Sequence, residues 1–211
     1  MLWRSSGPVR RPPGFIEPCL PTNAHTVPTG QQWAYEIKHD GFRFICHRDG
    51  ERVRVFSRRG HDWTDRVPLI AEALAKLRVK SVTLDGEGVV CRTDGVSDFD
   101  RLRAAVGRMG SRDAFLYAFD LLEIDDEDLR SHEWNVRRAT LRSLIKRAGP
   151  GILLSEHLDG DGVLAFQHAC FMGLEGIVAK RRDKPYRSGR SPDWIKVKNP
   201  DAPAATRIME W

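Results

Sequence analysis

Four short clusters hold the residues with chemistry to offer. The first is Glu36-Ile-Lys38-His-Asp40-Gly41-Phe-Arg43, in which a lysine closes an apolar run and an Asp-Gly step follows. A strand ending in this way can present one amine into a cavity; taken alone, the same eight residues also read as a charged hairpin turn. The second is Thr83-Leu-Asp85-Gly86-Glu87, whose two carboxylates at i and i+2 leave a strand on one face. In the third, Glu175-Gly176-Ile-Val-Ala-Lys180, an acid and a base bracket an apolar strand. The fourth, Trp194-Ile-Lys196-Val-Lys198, sets two lysines on one strand face and Ile195 and Val197 on the other. Singly, each cluster also describes a solvated strand.

The elements that must position these groups follow from periodicity. Alternation predicts strands over Trp33–Lys38, Phe42–His47 and Arg52–Ser57, with a hairpin turn at Arg48–Glu51. Arg66–Arg78 has helical apolar spacing with Asp65 as N-cap. Ser81–Cys91 reads as a strand pair, or one long strand broken near Gly86, and Asp40 and Asp85 as turn-shaping residues. A helix over Ser97–Val106 and a strand over Ala114–Leu122 follow. Beyond them come a helix over Asn135–Ala148, a strand at Ile152–Ser155, a helix over Asp161–Met172, and strands over Glu175–Lys180 and Trp194–Lys198. The expected class is α+β, with antiparallel sheets flanked by helices. Neither GxGxxG nor GxxxxGK[ST] occurs, which removes the two commonest phosphate loops.

Residues 1–30 hold six of the twelve prolines and read as an irregular lead-in. The whole chain has 211 residues, enough for one domain or two small ones. Its net charge of +5 suits a polyanionic partner without demanding one. Eight basic residues fall from Lys180 to Lys198, a run that on charge alone reads as a solvated face. No apolar run approaches the length of a membrane span, and the N-terminus lacks the apolar region of a secretory signal. The four cysteines contain no CxxC pair, which argues against a zinc site and for reduced, mostly buried thiols in a cytoplasmic protein. The histidines show no ligand spacing, and His39 reads as a bystander.

In order and spacing, the clusters together resemble the motif series of covalent nucleotidyltransferases, most closely the adenylation domain of bacterial end-joining ATP-dependent DNA ligases. Lys38-x-Asp-Gly-x-Arg43 is similar to the nucleophile motif, and Ser57-Arg58-Arg-Gly60, Asp85-Gly-Glu87, Tyr117-Ala-Phe119-Asp120, Glu175–Lys180 and Trp194–Lys198 continue the series. Phe15-Ile-Glu-Pro and Tyr186-Arg-Ser-Gly189-Arg190-Ser191 extend the likeness. The resemblance implies an ATP-grasp-like nucleotidyltransferase domain over 31–200 that uses ATP and Mg²⁺ to form lysyl-AMP and passes AMP to the 5′-phosphate of nicked double-stranded DNA. It implies Lys38 as nucleophile, with Glu36, Arg43, Glu87, Phe119, Lys196 and Lys198 around the nucleotide. Glu87 and Glu175 would hold the metal, and Arg58 would contact the DNA or AMP phosphate. A free lysine is neutral about once in 2,500 at pH 7, so supplying the amine costs about 4.6 kcal/mol unless the site helps. Only 13 residues follow Lys198, too few for the OB-fold domain that usually comes next, so 201–211 is expected to be a short tail. A DNA-repair protein supplying the clamp, in a nucleoid-associated setting, is the expected partner. A nick-binding accessory protein, and an RNA ligase or guanylyltransferase of the same superfamily, stand as alternatives.

Overall fold

The computed structural model describes residues 11–108, 110–146 and 148–203. Trp3, Trp211 and most of the expected tail lie outside that range. Two sheets face each other. The first is ordered β1(Cys19–Ala24)-β11(Gly189–Lys198)-β10(Gly176–Arg181)-β2(Trp33–Ile37)-β9(His157–Leu158). The second runs β4(Arg52–Ser57)-β3(Phe42–Asp49)-β5(Ser81–Val89)-β6(Phe115–Ile124)-β7(Glu127–Asp128), with β8(Ile152–Leu154) also on β6. All pairs are antiparallel except β1 with β11 and β6 with β8. The helices are α1(Pro68–Lys76), α2(Phe99–Arg108), α3(Trp134–Ile145) and α4(Gly162–Phe171). Among the described residues, no helix is long and apolar enough to cross a membrane.

Period-two alternation divides each sheet into an apolar outer face and a polar inner one. In the first sheet Tyr35, Ile177, Ala179 and Val197 pack with Ala165 and Ala169 of α4. Their strand neighbours Glu36, Val178, Lys180, Trp194, Lys196 and Lys198 line the inner side. In the second sheet Phe44, Cys46, Val82, Leu84, Leu116, Ala118 and Leu121 join Ile70 and Leu74 of α1, Leu102 of α2, and Leu141 and Ile145 of α3 in the main core. Arg43 and Glu87 alternate with those residues and turn inward. A smaller core of Ile45, Phe56, Phe119, Leu122, Tyr186 and Trp194 closes the space between the sheets at one end.

Several expectations are corrected. The lead-in is not irregular throughout: Cys19–Ala24 forms the edge strand β1, whose Tyr186-bonded start is buried. Pro21 is tolerated because only one side of an edge strand needs its donors. The first helix begins at Pro68 with Val67 as N-cap, not Asp65, which lies in a 3₁₀ turn at Thr64–Arg66; proline at the first helical position supplies the start. Ser81–Val89 is one continuous strand with register shifts flanking Leu84–Asp85, and Asp85 is a strand residue, not a turn former. All four cysteines are free; Cys19 and Cys46 are buried, while Cys91 and Cys170 are half-buried.

Candidate functional site: a cavity between the two sheets

The inner faces enclose an open cavity of about 920 Å³, lined by Glu36, Lys38, Arg43, Arg58, Glu87, Phe119, Glu175, Lys196 and Lys198 among others. All nine residues singled out from the sequence therefore share one space. Arg59, Lys180, Arg190 and Trp194 line it too.

Lys38 stands just past the end of β2, where its backbone N–H donates to Gly176 O at 2.9 Å. This bond ties the end of β2 to the start of β10. Gly176 holds φ +132°, and a Cβ there would lie 2.1 Å from Val197 O, so only glycine lets Glu175 stand at this corner. Gly41 is needed for a similar reason: a Cβ would lie 2.2 Å from Gly88 O, where β3 runs against β5. The result is an ion pair of 2.6 Å from Lys38 Nζ to Glu175 Oε2, with Lys198 Nζ 3.7 Å from Glu175 Oε1. Lys196 is held below the ordinary lysine range by burial and by the neighbouring charges of Lys38 and Lys198. Burial pushes the Glu87 carboxyl up to about 7, against the pull of Lys38 and Arg43. This end of the cavity is rich in cations and open to water.

The opposite end is closed and internally paired. Arg43 donates from Nε to Asp85 Oδ1 at 2.5 Å and from Nη2 to Asp85 Oδ2 at 2.7 Å and Cys19 O at 3.1 Å. Asp85 also accepts from Tyr186 Oη at 2.6 Å. Arg43 thus builds the wall of the cavity. Lys180 Nζ donates to Glu36 Oε2 at 2.9 Å, and both side chains are buried. The Phe119 ring carries Arg43 Cζ at 4.4 Å and Lys180 Nζ at 4.3 Å from its centroid, with the Trp194 ring edge-on at 6.0 Å. His39 lies flat on Tyr117 at 4.0 Å and is kept neutral by burial, which lowers it to about 4.

Sequence reasoning passed over Lys180, Tyr186 and Asp85 as parts of the site. Their partners, Glu36 for Lys180, Arg43 for Asp85, and Asp85 and Cys19 for Tyr186, are distant in the chain, and only the folded arrangement reveals them. Tyr186 had a signal in the Tyr-Arg-Ser-Gly-Arg-Ser stretch, as did Arg190.

The donor set fits a triphosphate with a hard metal ion. Glu87 and Glu175 offer carboxylate oxygens, and among the described residues no three His, Cys, Asp or Glu side chains converge into a full cage. Magnesium usually takes one or two carboxylates and completes its shell with water and phosphate. Glu36 Oε1 is a buried acceptor without a hydrogen-bond partner, which fits a ligand amine.

Known proteins agree with this architecture. The chain is 39% identical over 187 residues to the multifunctional non-homologous end joining protein LigD of Pseudomonas aeruginosa, covering 88% of this chain and 22% of that protein. The LigD of Mycolicibacterium smegmatis is 35% identical over 190 residues, 89% of this chain and 24% of its own length. The chain therefore spans less than a quarter of these relatives. A solved mycobacterial DNA ligase D complexed with ATP and MES superposes with a TM-score of 0.74 at 36% identity, covering 86% of this chain and 59% of that one. Residues 20–198, which run from β1 to the last lysine of β11, match the ATP dependent DNA ligase domain, and the chain belongs to that family.

Proposed function

We propose that this chain is the adenylation unit of an ATP-dependent DNA ligase. The observation that carries the reading is one amine, Lys38, set at the cation-rich mouth of a cavity whose other end is aromatic and internally neutralised. Lys38 Nζ attacks the α-phosphorus of ATP. The N–P bond forms, the bond from the α-phosphorus to the bridging oxygen breaks, and pyrophosphate leaves. The ammonium proton must go first, and Glu175 Oε2 at 2.6 Å is the acceptor at hand. In the second step a 5′-phosphate oxygen of the nick attacks the same phosphorus and frees the amine. In the third a 3′-hydroxyl attacks the 5′-phosphate, closes the phosphodiester and expels AMP.

Strand geometry supports this orientation. Glu36 and Lys38 lie two residues apart, about 7 Å along β2. A nucleotide with its α-phosphate at Lys38 reaches back with its base toward Glu36, Phe119 and Val178. Glu36 Oε1 is an acceptor suited to the exocyclic amine of adenine. Lys196 and Lys198 balance charge on the phosphates. Glu87 and Glu175 would hold Mg²⁺, which supplies further neutralisation of phosphate charge when bound. Arg58, Arg59 and Arg190 at the mouth are suited to DNA phosphates. The functional unit includes β1, so its boundary falls before residue 19 and not at 31. Nicked duplex DNA is the proposed partner, with a DNA-repair protein clamping it in the cytoplasmic nucleoid, in keeping with the end-joining relatives.

The test is self-labelling with α-labelled ATP and Mg²⁺. Label is expected on the protein and absent, by at least 1,000-fold, from Lys38→Ala. Label retained in that variant overturns the nucleophile assignment. Sealing of a pre-adenylated DNA nick, compared with an RNA nick, then tests the nucleic acid.

A further inference from the structure

Behind the base end of the cavity lies a cluster of buried polar atoms that the adenylation chemistry does not use. Among the described residues, Glu36 Oε1, Trp134 Nε1, Arg138 Nε and Nη1, Ser155 Oγ and His157 Nδ1 are buried without a hydrogen-bond partner. Their side chains are neighbours. Arg138 Nη2 donates to Ser155 O, and Arg138 Nη1 stands 4.0 Å from Glu36 Oε1. The Arg138 guanidinium lies 5.8 Å over Trp134, whose ring meets His157 edge-on at 5.2 Å. His157 is the cross-strand partner of Glu36. Orphaned donors and acceptors are costly to bury, so such a cluster persists where something satisfies it or where it serves a ligand.

Glu36 forms the shared wall between this cluster and the cavity. Its carboxylate lies between two cations on different elements, Lys180 of β10 at 2.9 Å and Arg138 of α3 at 4.0 Å. Burial raises this carboxyl above its ordinary range, Lys180 and Arg138 pull against that rise, and the nearby Asp120 adds to it. Each cation that is kept beside it therefore counts toward the ionised form. The state of this group decides what it can recognise. An ionised carboxylate only accepts hydrogen bonds, so it takes a 6-amino group and repels a 6-oxo group; a protonated one can donate to the 6-oxo group. We propose that Arg138 is a positioning residue that holds Glu36 Oε1 as an acceptor-only carboxylate and thereby sets the preference for 6-aminopurine over 6-oxopurine nucleotides without touching the base. The inference rests on the nucleotide orientation proposed above.

The experiment measures equilibrium binding of ATP and inosine triphosphate, which differ at purine position 6, to the full chain with Mg²⁺. Wild type, Arg138→Met and Arg138→Lys are compared, with circular dichroism and thermal melting as the check on folding. Wild type is expected to favour ATP by about 100-fold. Arg138→Met is expected to narrow that ratio about tenfold, and Arg138→Lys, which keeps the charge but withdraws Nη1, about threefold. In self-labelling the change should appear in KM for the two nucleotides more than in kcat. Equal weakening of both nucleotides, with the ratio unchanged in either folded variant, overturns the proposal, as does a wild type without preference. In a Glu36→Gln background, Arg138→Met should leave the ratio unmoved; a persistent narrowing there would mean that Arg138 acts by another route. A wild type that binds with the expected preference but never labels defeats the ligase reading and leaves this one standing.

Discussion

The two ends of the cavity are built on different electrostatic plans. At the base end every charge has an opposite partner inside the protein: Arg43 with Asp85, Lys180 with Glu36. These side chains are nearly inaccessible, Asp85 at 0% and Lys180 at 2%. At the phosphate end Lys38 is 22% exposed and Lys198 47%, and Lys196 and Arg58 have no ion-pair partner among the described residues. Glu175 and Glu87 oppose those cations there, Glu175 through its ion pairs with Lys38 and Lys198. A neutral base belongs where the protein's charges already cancel, and a polyanion where they do not. Architecture and chemistry are thus separated along one strand, β2, which carries Glu36 at the closed end and leads to Lys38 at the open one.

The sharpest way to break this contrast is at Asp85. Replacing it with Asn leaves Arg43 buried beside a neutral amide whose single acceptor oxygen cannot serve both Arg43 nitrogens and Tyr186 Oη. Loss of one partner of a buried pair costs about 3–5 kcal/mol. Urea denaturation of Asp85→Asn should show that loss, while Lys38→Ala should unfold close to wild type. A cost below about 1 kcal/mol at Asp85 would mean that the closed end does not hold the fold together.

Asp85 also shows where sequence reasoning reached its limit. Asp-Gly is a turn signal, and the local pattern favours a break at Gly86. The strand runs through because the carboxylate is captured by Arg43, 42 residues earlier, and by Tyr186, 101 residues later. The lysine and glutamate faces of β2, β10 and β11 were legible because alternation alone fixes which side chains share a face. The pairing of Lys180 with Glu36 was not, since it needs the register of β2 against β10, where Ala34 lies opposite Lys180. Strand β1 was hidden by Pro18 and Pro21, whose missing donors matter little at a sheet edge. His39, which reads as a bystander in the sequence, packs flat on Tyr117 next to Lys38 in the chain.

A second, smaller effect comes from Glu87, the buried carboxyl of the open end. Its carboxyl is raised to about 7, so between about pH 4.5 and 7 the folded protein keeps a proton that the unfolded chain has released. This group's contribution to stability therefore falls as pH rises through that window and is constant above it. Glu87→Gln should lack the decline and gain about 2 kcal/mol relative to wild type at pH 7.5 compared with pH 4.5, after allowance for solvent at the cavity mouth. His39, lowered to about 4, works in the opposite sense between about pH 4 and 6.5, so the difference between variant and wild type is the quantity to follow. A flat difference would place Glu87 in water and blur the boundary between the two ends. Labelling by wild type should rise through pH 7 as Glu87 ionises.

The smallest stability effect is expected at Lys198, and there the contrast can be drawn within a single residue. Its ammonium is half exposed and 3.7 Å from Glu175 Oε1, a distance and setting in which ion pairs contribute about 0–1 kcal/mol. Against a triphosphate the same ammonium meets concentrated negative charge with part of the water removed, where one charge-assisted contact is worth considerably more. Lys198→Ala should therefore unfold within about 0.5 kcal/mol of wild type, yet label with ATP about 10- to 100-fold more slowly. Urea midpoints and labelling rates measured on one preparation separate the two quantities. Stability lost by more than about 1 kcal/mol would make the open end architectural as well. Full labelling would take Lys198 out of the phosphate set and leave Lys196 to act alone, on the strand position next to the buried Val197.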